Sequence, residues 1–180
     1  MGIATLAELK AYLGIASSSE DAILTTTLSA SQRWIETITD RYFEPISGIR
    51  YFGWENPKEI FLDQDLLALA SLKLDNETID SSDIELHPRN SERKIWIKLL
   101  SAHYPTSENP VWSVNGTWGY SMTVPEDVKM ACLRLAAYMY RQKDAQVFDV
   151  TAMPDVGQMT IPQGIPKDVQ IIVKSYRRVW

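Results

Sequence analysis

The sequence predicts an α+β protein that is mainly α: a helical bundle of about four helices carrying a small antiparallel sheet. Three observations predict it. Apolar residues recur at helical spacing near both ends, at 5–40 and again at 124–143 and 166–178. Between 45 and 123 the period shortens to alternation, with turn residues between short apolar runs. Pro45 and Pro125 stand at the two changes of pattern. One domain over 1–180 is expected, with a helical core from 1–44 and 124–180 and a strand-rich insertion at 45–123.

The first helix opens at Thr5-Leu-Ala-Glu8, a capping box in which each side chain reaches the other residue's backbone N–H. Leu6, Leu9, Tyr12 and Leu13 share its apolar face, and Gly14 is a natural stop. Ser17-Ser-Ser-Glu-Asp21 starts a second helix that should run to about Asp40. Its inward stripe reads Leu24, Leu28, Trp34 with Ile35, and Ile38, with Ala30 allowing close approach. Thr25-Thr-Thr27 has weak helix propensity, so packing must hold that turn.

In the insertion, Ile60-Phe-Leu62 and Leu72-Lys-Leu-Asp75 read as short strands, with a turn at Asp75-Asn76. Ile84-Glu-Leu-His87 alternates, and Lys94-Ile-Trp-Ile-Lys-Leu99 puts Ile95, Ile97 and Leu99 on one face. Val111-Trp-Ser-Val114, then Asn115-Gly116, then Thr117-Trp-Gly-Tyr120 reads as a hairpin with a type I′ turn. Pro125 with Glu126 and Asp127 opens a third long helix to about Lys143, buried along Val128, Ala131, Cys132, Leu135, Tyr138 and Met139. Positions 144–165 lose periodicity, and a loop of that length inside a compact domain is usually functional. Pro166 opens the last helix, with Val169, Ile172, Val173 and Tyr176 inward.

The totals exclude several classes. The chain has 180 residues and a net charge of −5, and residues 124–180 alone are basic, with eight cations against six anions. No basic stripe suggests a grip on phosphates. No apolar run approaches the roughly 20 residues that span a bilayer, so no membrane role is expected. The N-terminus carries no signal-peptide pattern, and a single cysteine, Cys132, fits a reducing compartment.

Chemistry-bearing patterns are equally sparse. His87, His103 and Cys132 have no zinc-like spacing, and Asp63-Gln-Asp65 begins like a calcium loop without completing one. Cys132 lies in a helix stripe, where a thiol is a small core residue. Asp80 and Asp83 sit beside serines, as turn residues do. Gly116-Thr-Trp-Gly119 matches an RNA-binding GXXG clamp only in form, because it lies between strand-like segments. No catalytic residue, no metal site and no cofactor are expected, and the protein is read as not an enzyme. Six tryptophans remain: Trp34, Trp54, Trp96, Trp112, Trp118 and Trp180. Trp34 reads as core. Trp54, Trp112 and Trp118 leave open an aromatic-rich carbohydrate- or peptide-binding module. The terminal cluster Tyr176, Arg177, Arg178 and Trp180 has the composition of an interface hot spot.

Several segments together resemble the tailed-phage head–tail connector (adaptor) family. They are Thr5 to Gly14, Asp21 to Phe43, Gly116 to Tyr120 followed by Val124 to Tyr140, and Ile165-Pro-Lys-Asp-Val169 with Tyr176-Arg-Arg178. The resemblance implies a structural virion protein of a phage or prophage, made in the host bacterial cytoplasm and located at the head–tail interface. It implies a ring, dodecameric in the virion, that docks on the portal and extends the DNA channel without specific DNA binding. That ring gives the platform for a downstream neck or tail protein. The family brings no catalytic residues. The segment 144–165 and the basic last helix are the expected contact with portal or neighbouring subunit. Candidate interface residues there are Met153, Val156, Met159, Ile161, Tyr176, Arg177, Arg178 and Trp180.

Overall fold

The computed structural model describes residues 2–143, 151–153, 157–159 and 164–178. Two compact units emerge, one formed by 1–39 with 126–180 and the other by 40–125.

The first unit holds four helices, α1 (Leu6–Leu13), α2 (Asp21–Thr39), α3 (Glu126–Gln142) and α4 (Lys167–Ser175). The capping box at α1 forms: Thr5 Oγ1 accepts from Glu8 N–H at 3.2 Å, and Glu8 Oε2 accepts from Thr5 N–H at 2.7 Å. Gly14 closes α1 in the left-handed region at φ 73°. In α2 the threonine run satisfies itself, since Thr25 and Thr26 hydroxyls donate to the carbonyls of Asp21 and Ala22 one turn back.

The buried stripe of α2 is Leu24, Leu28, Ser31, Ile35 and Thr39. This corrects the expected face: Trp34 is only half-buried, while Ile38 and Ala30 are exposed. The physical reason is the spacing of 4, 3, 4 and 4 residues, which a helix keeps on one side. Ser31 and Thr39 can enter that side because their hydroxyls donate to Thr27 and Ile35 carbonyls. They supply the close approach expected of Ala30. The third helix buries Val128, Ala131, Cys132, Leu133, Leu135, Ala136 and Ala137, and packs against α1, α2 and α4. Its many small residues let three neighbours come near.

Inside 144–165, expected as irregular, the short strands β7 (Thr151–Met153) and β8 (Gly157–Met159) pair antiparallel.

The second unit is a six-stranded antiparallel sheet in the order β1-β6-β2-β5-β4, with β3 paired to β2. Its strands are β1 (Ile46–Gly53), β2 (Glu59–Leu74), β3 (Glu77–Thr78), β4 (Ile84–His87), β5 (Lys94–Leu99) and β6 (Val111–Trp118). A sheet this large makes the chain α+β rather than mainly α. The two short strands expected at 60–62 and 72–75 are one 16-residue strand, β2. It pairs with β5 through its first half and with β6 through its second, and the register shifts between Leu66 and Ala68 and between Leu69 and Ser71. Those bulges hide the strand period from a sequence reading.

The hairpin expected at Asn115-Gly116 does not exist. The sixth strand runs straight through both residues, pairing with β1 on one edge and β2 on the other. The type I′ geometry lies at Asp75-Asn76 instead, where φ is 48° and 77° and β2 turns into β3. Trp112, Val114, Gly116 and Trp118 alternate onto the buried face of β6. There the core gathers Leu62, Leu66, Leu72, Ile97 and Leu99 around the two tryptophans. Ile95, expected beside Ile97 and Leu99, is exposed.

Candidate interaction surface

The placement of the reactive groups limits what the surface can do. Cys132 is fully buried, and desolvation, aided by the Glu36 charge, pushes its thiol up to about 12. No thiolate forms there near neutral pH. His103 Nε2–H donates to Asp83 Oδ2 at 2.5 Å, and Asp83 Oδ1 accepts from Ser101 N–H at 2.8 Å. The His103 carbonyl accepts from Trp54 Nε1–H at 3.2 Å. This is a clamp that ties the 3-10 turn Ser81–Asp83 to the segment after β5. Asp80 caps the same turn by accepting from Ser82 N–H and Oγ–H. Among the described residues no three His, Cys, Asp or Glu side chains could hold a metal ion. No described helix is long and apolar enough to cross a membrane.

The clamp has a pH signature. The His103 hydrogen bond, with those of Ser101, holds the Asp83 carboxyl below the usual carboxylate range. A depressed folded pKa contributes stability above the unfolded value of about 3.9 and loses it as pH falls through the folded one. Asp83→Asn should therefore be less stable than wild type at pH 7, with the gap closing below about pH 4. Urea midpoints at pH 7 and pH 3 measure it; an equal gap at both would mean that the carboxylate charge is irrelevant.

The tryptophans divide sharply. Trp112 and Trp118 are core residues at 1% and 2% exposure, which removes them from any sugar-stacking face. Trp54 is half-buried against Tyr104. Among the described residues the most exposed aromatics are others: Tyr51, Phe61 and Tyr104. Phe61 stacks on Trp96 with ring centroids 6.2 Å apart, and Trp96 stacks on His87 at 4.2 Å, forming a row across β2, β5 and β4. The parity of β2 carries this signal, because Ile60 and Leu62 point inward and Phe61 between them must point out.

The expected interface residues fall into three groups. Tyr176 is half-buried, its hydroxyl donating to the Asp127 carboxylate at 2.8 Å, and Arg177 is exposed. Arg178 is buried at 6% exposure, its backbone N–H held by the Thr39 carbonyl at 2.9 Å. Met153 and Met159 lie on β7 and β8, opposite Gly157 and Thr151 respectively. Val156, Ile161 and Trp180 lie outside the described residues.

The sequence model of a family described as head completion protein matches residues 2–179. No curated protein matches the chain. Among solved structures, the chain is similar to one in the neck of an empty gene transfer agent particle computed with C6 symmetry. That likeness has a TM-score of 0.66 at 19% identity, over 99% of this chain and 91% of that one. A chain in the virion of a native gene transfer agent particle gives 0.66 at 21% identity, with the same coverage. A third, in the neck of the native particle computed with C12 symmetry, gives 0.62 at 21%, over 97% and 88%.

Proposed function

This chain belongs to the head completion protein family, and we propose that it is a ring-forming structural subunit at the head–tail junction of a phage-like particle. In this reading twelve copies dock on the portal, extend its channel for DNA, and offer the platform on which a neck or tail protein assembles. The protein is made in the bacterial host and resides in the virion. The observation that carries the reading is the family match across nearly the whole chain, 2–179. The necks computed with C6 and C12 symmetry that contain similar folds agree with a cyclic assembly.

The physical chemistry supports the same role. A ring subunit needs two different contact faces and no reaction centre. A net charge of −5 lets DNA slide past without adhering. The segment 144–165 and the end of α4 contact the portal or the adjacent subunit.

Mixing the purified chain with portal complexes tests this, with negative-stain images as the readout. A ring seated on the portal is expected. Deleting 145–163 should keep the helical circular dichroism signal yet abolish seating. A deletion variant that still seats would remove that segment from the contact, and a wild-type chain that never seats would refute the role.

A further inference from the structure

At the start of β2 a groove of about 330 Å³ is lined by Phe52, Ile60, Phe61, Glu55, Glu59 and Asn56. Phe61 stands 68% exposed at its rim. The carboxylates of Glu55 and Glu59 hold no hydrogen bond or ion pair among the described residues. Lys98 lies opposite Glu59 in register without forming an ion pair with it. An aromatic wall with two unused carboxylates is a receptor for an apolar side chain flanked by cations.

A matching face exists on α4. Lys167, Ile171 and Lys174 are spaced i, i+4 and i+7, so they share one side of the helix. Ile171 is 70% exposed, and both lysines are exposed. Neither lysine's ammonium has an ion pair or hydrogen bond among the described residues.

The wider charge pattern repeats this match. In the helical unit every described carboxylate is engaged: Glu8 and Glu126 by Lys129, Glu20 by Lys143, Asp21 by Lys10, Asp168 by Arg134, Glu36 by Gln32 and Asp127 by Tyr176. What that unit has left over is cationic, and the groove in the strand unit is anionic.

We propose that the outer face of α4 of one copy docks in the Phe61 groove of a second copy, Ile171 against Phe61 and Lys167 and Lys174 against Glu55 and Glu59. The contact is heterologous, one face giving and another receiving, which is the kind that closes into a ring. It rests on the ring reading above and names the surfaces that reading needs. The aromatic row of Trp96 and His87 continues outward from Phe61 beside the groove.

The test uses two full-length variants, Glu55→Lys/Glu59→Lys and Lys167→Glu/Lys174→Glu, assembled on portal complexes and counted by negative stain and sedimentation. Circular dichroism checks that each folds. Alone, each should lose ring yield by about tenfold or more, because like charges meet at every contact. Mixed in equal amounts, they should recover it, since reversed helix then meets reversed groove and native meets native in alternation. Rings from either variant alone at wild-type yield would overturn the contact and leave the ring standing. Failure of the mixture, with both variants folded, would overturn it as well. A wild-type chain that forms no ring would sink the ring reading, and this contact with it.

Discussion

Gly116→Val is expected to destabilise the strand unit severely, by the largest amount of any single substitution in the sheet core. Gly116 sits mid-strand on the buried face of β6, where β2 bulges toward it. A Cβ there would stand 2.4 Å from the Ala68 carbonyl oxygen and 2.6 Å from Leu66 Cδ1. Leu66 could change rotamer, but the carbonyl belongs to the backbone of a strand paired on both sides. Overpacking costs about 1–3 kcal/mol where side chains can yield. Here a strand must shift, so a loss of about 3 kcal/mol or more is expected, against a typical total of about 5–15. At Gly48, the register partner of Gly116 on β1, an added Cβ would meet nothing within 4 Å. Gly48→Ala is therefore the control and should be nearly neutral. Urea titration followed by tryptophan fluorescence reads the unit directly, because Trp112 and Trp118 flank the site. A Gly116→Val midpoint equal to wild type would show that the bulge in β2 relaxes freely.

The same position explains what a sequence reading can and cannot see here. Asn115-Gly116 and Asp75-Asn76 are both competent type I′ turns by composition. Which one turns depends on pairing, and Gly116 is kept for close approach of β2, a long-range fact. The helices are legible because their signals are local: the Thr5–Glu8 box, Gly14, and the acidic first turn of α3. The face of α2 is not, because Ser31 and Thr39 are buried polar residues whose hydroxyls are satisfied within the helix. Hydrophobicity alone then favours Trp34 and Ile38. In the sheet, the parity of Trp112, Val114, Gly116 and Trp118 is readable as one buried face once the glycine is allowed to belong to it. The exposure of Phe61 is readable from the parity of Ile60 and Leu62, but the groove is not, since periodicity does not say how the stretch 52–61 folds back between β1 and β2. The family resemblance rests on order and spacing of helix-stripe segments, and the family match over 2–179 agrees with it.

Arg41→Met should be nearly as damaging as Gly116→Val, for an electrostatic reason. Arg41 Nη1 pairs with Asp65 Oδ2 inside the strand unit, with side-chain exposures of 12% and 2%. The guanidinium also lies over the Tyr120 ring, 5.2 Å from its centroid. The other oxygen, Asp65 Oδ1, is buried with no hydrogen-bond partner among the described residues. Removing the cation leaves a buried carboxylate with no other side-chain hydrogen bond or ion pair among the described residues. Breaking a buried pair in this way costs about 3–5 kcal/mol. Asp65→Leu should cost less, because the guanidinium keeps its place over the Tyr120 ring when the carboxylate is gone. The double variant Arg41→Met/Asp65→Leu should be far more stable than the two losses summed, since replacing both charges with apolar groups removes their desolvation penalty. Urea titration of the four proteins gives the coupling. Additive losses would show that the two side chains act independently and that the pair is not what holds this corner of the sheet. The Asp65 carbonyl also accepts from Gly119 N–H at 2.8 Å, which ties the middle of β2 to the end of β6. A coupled loss at Asp65 should therefore loosen the strand that presents Phe61, and ring yield should fall with it at the same temperature.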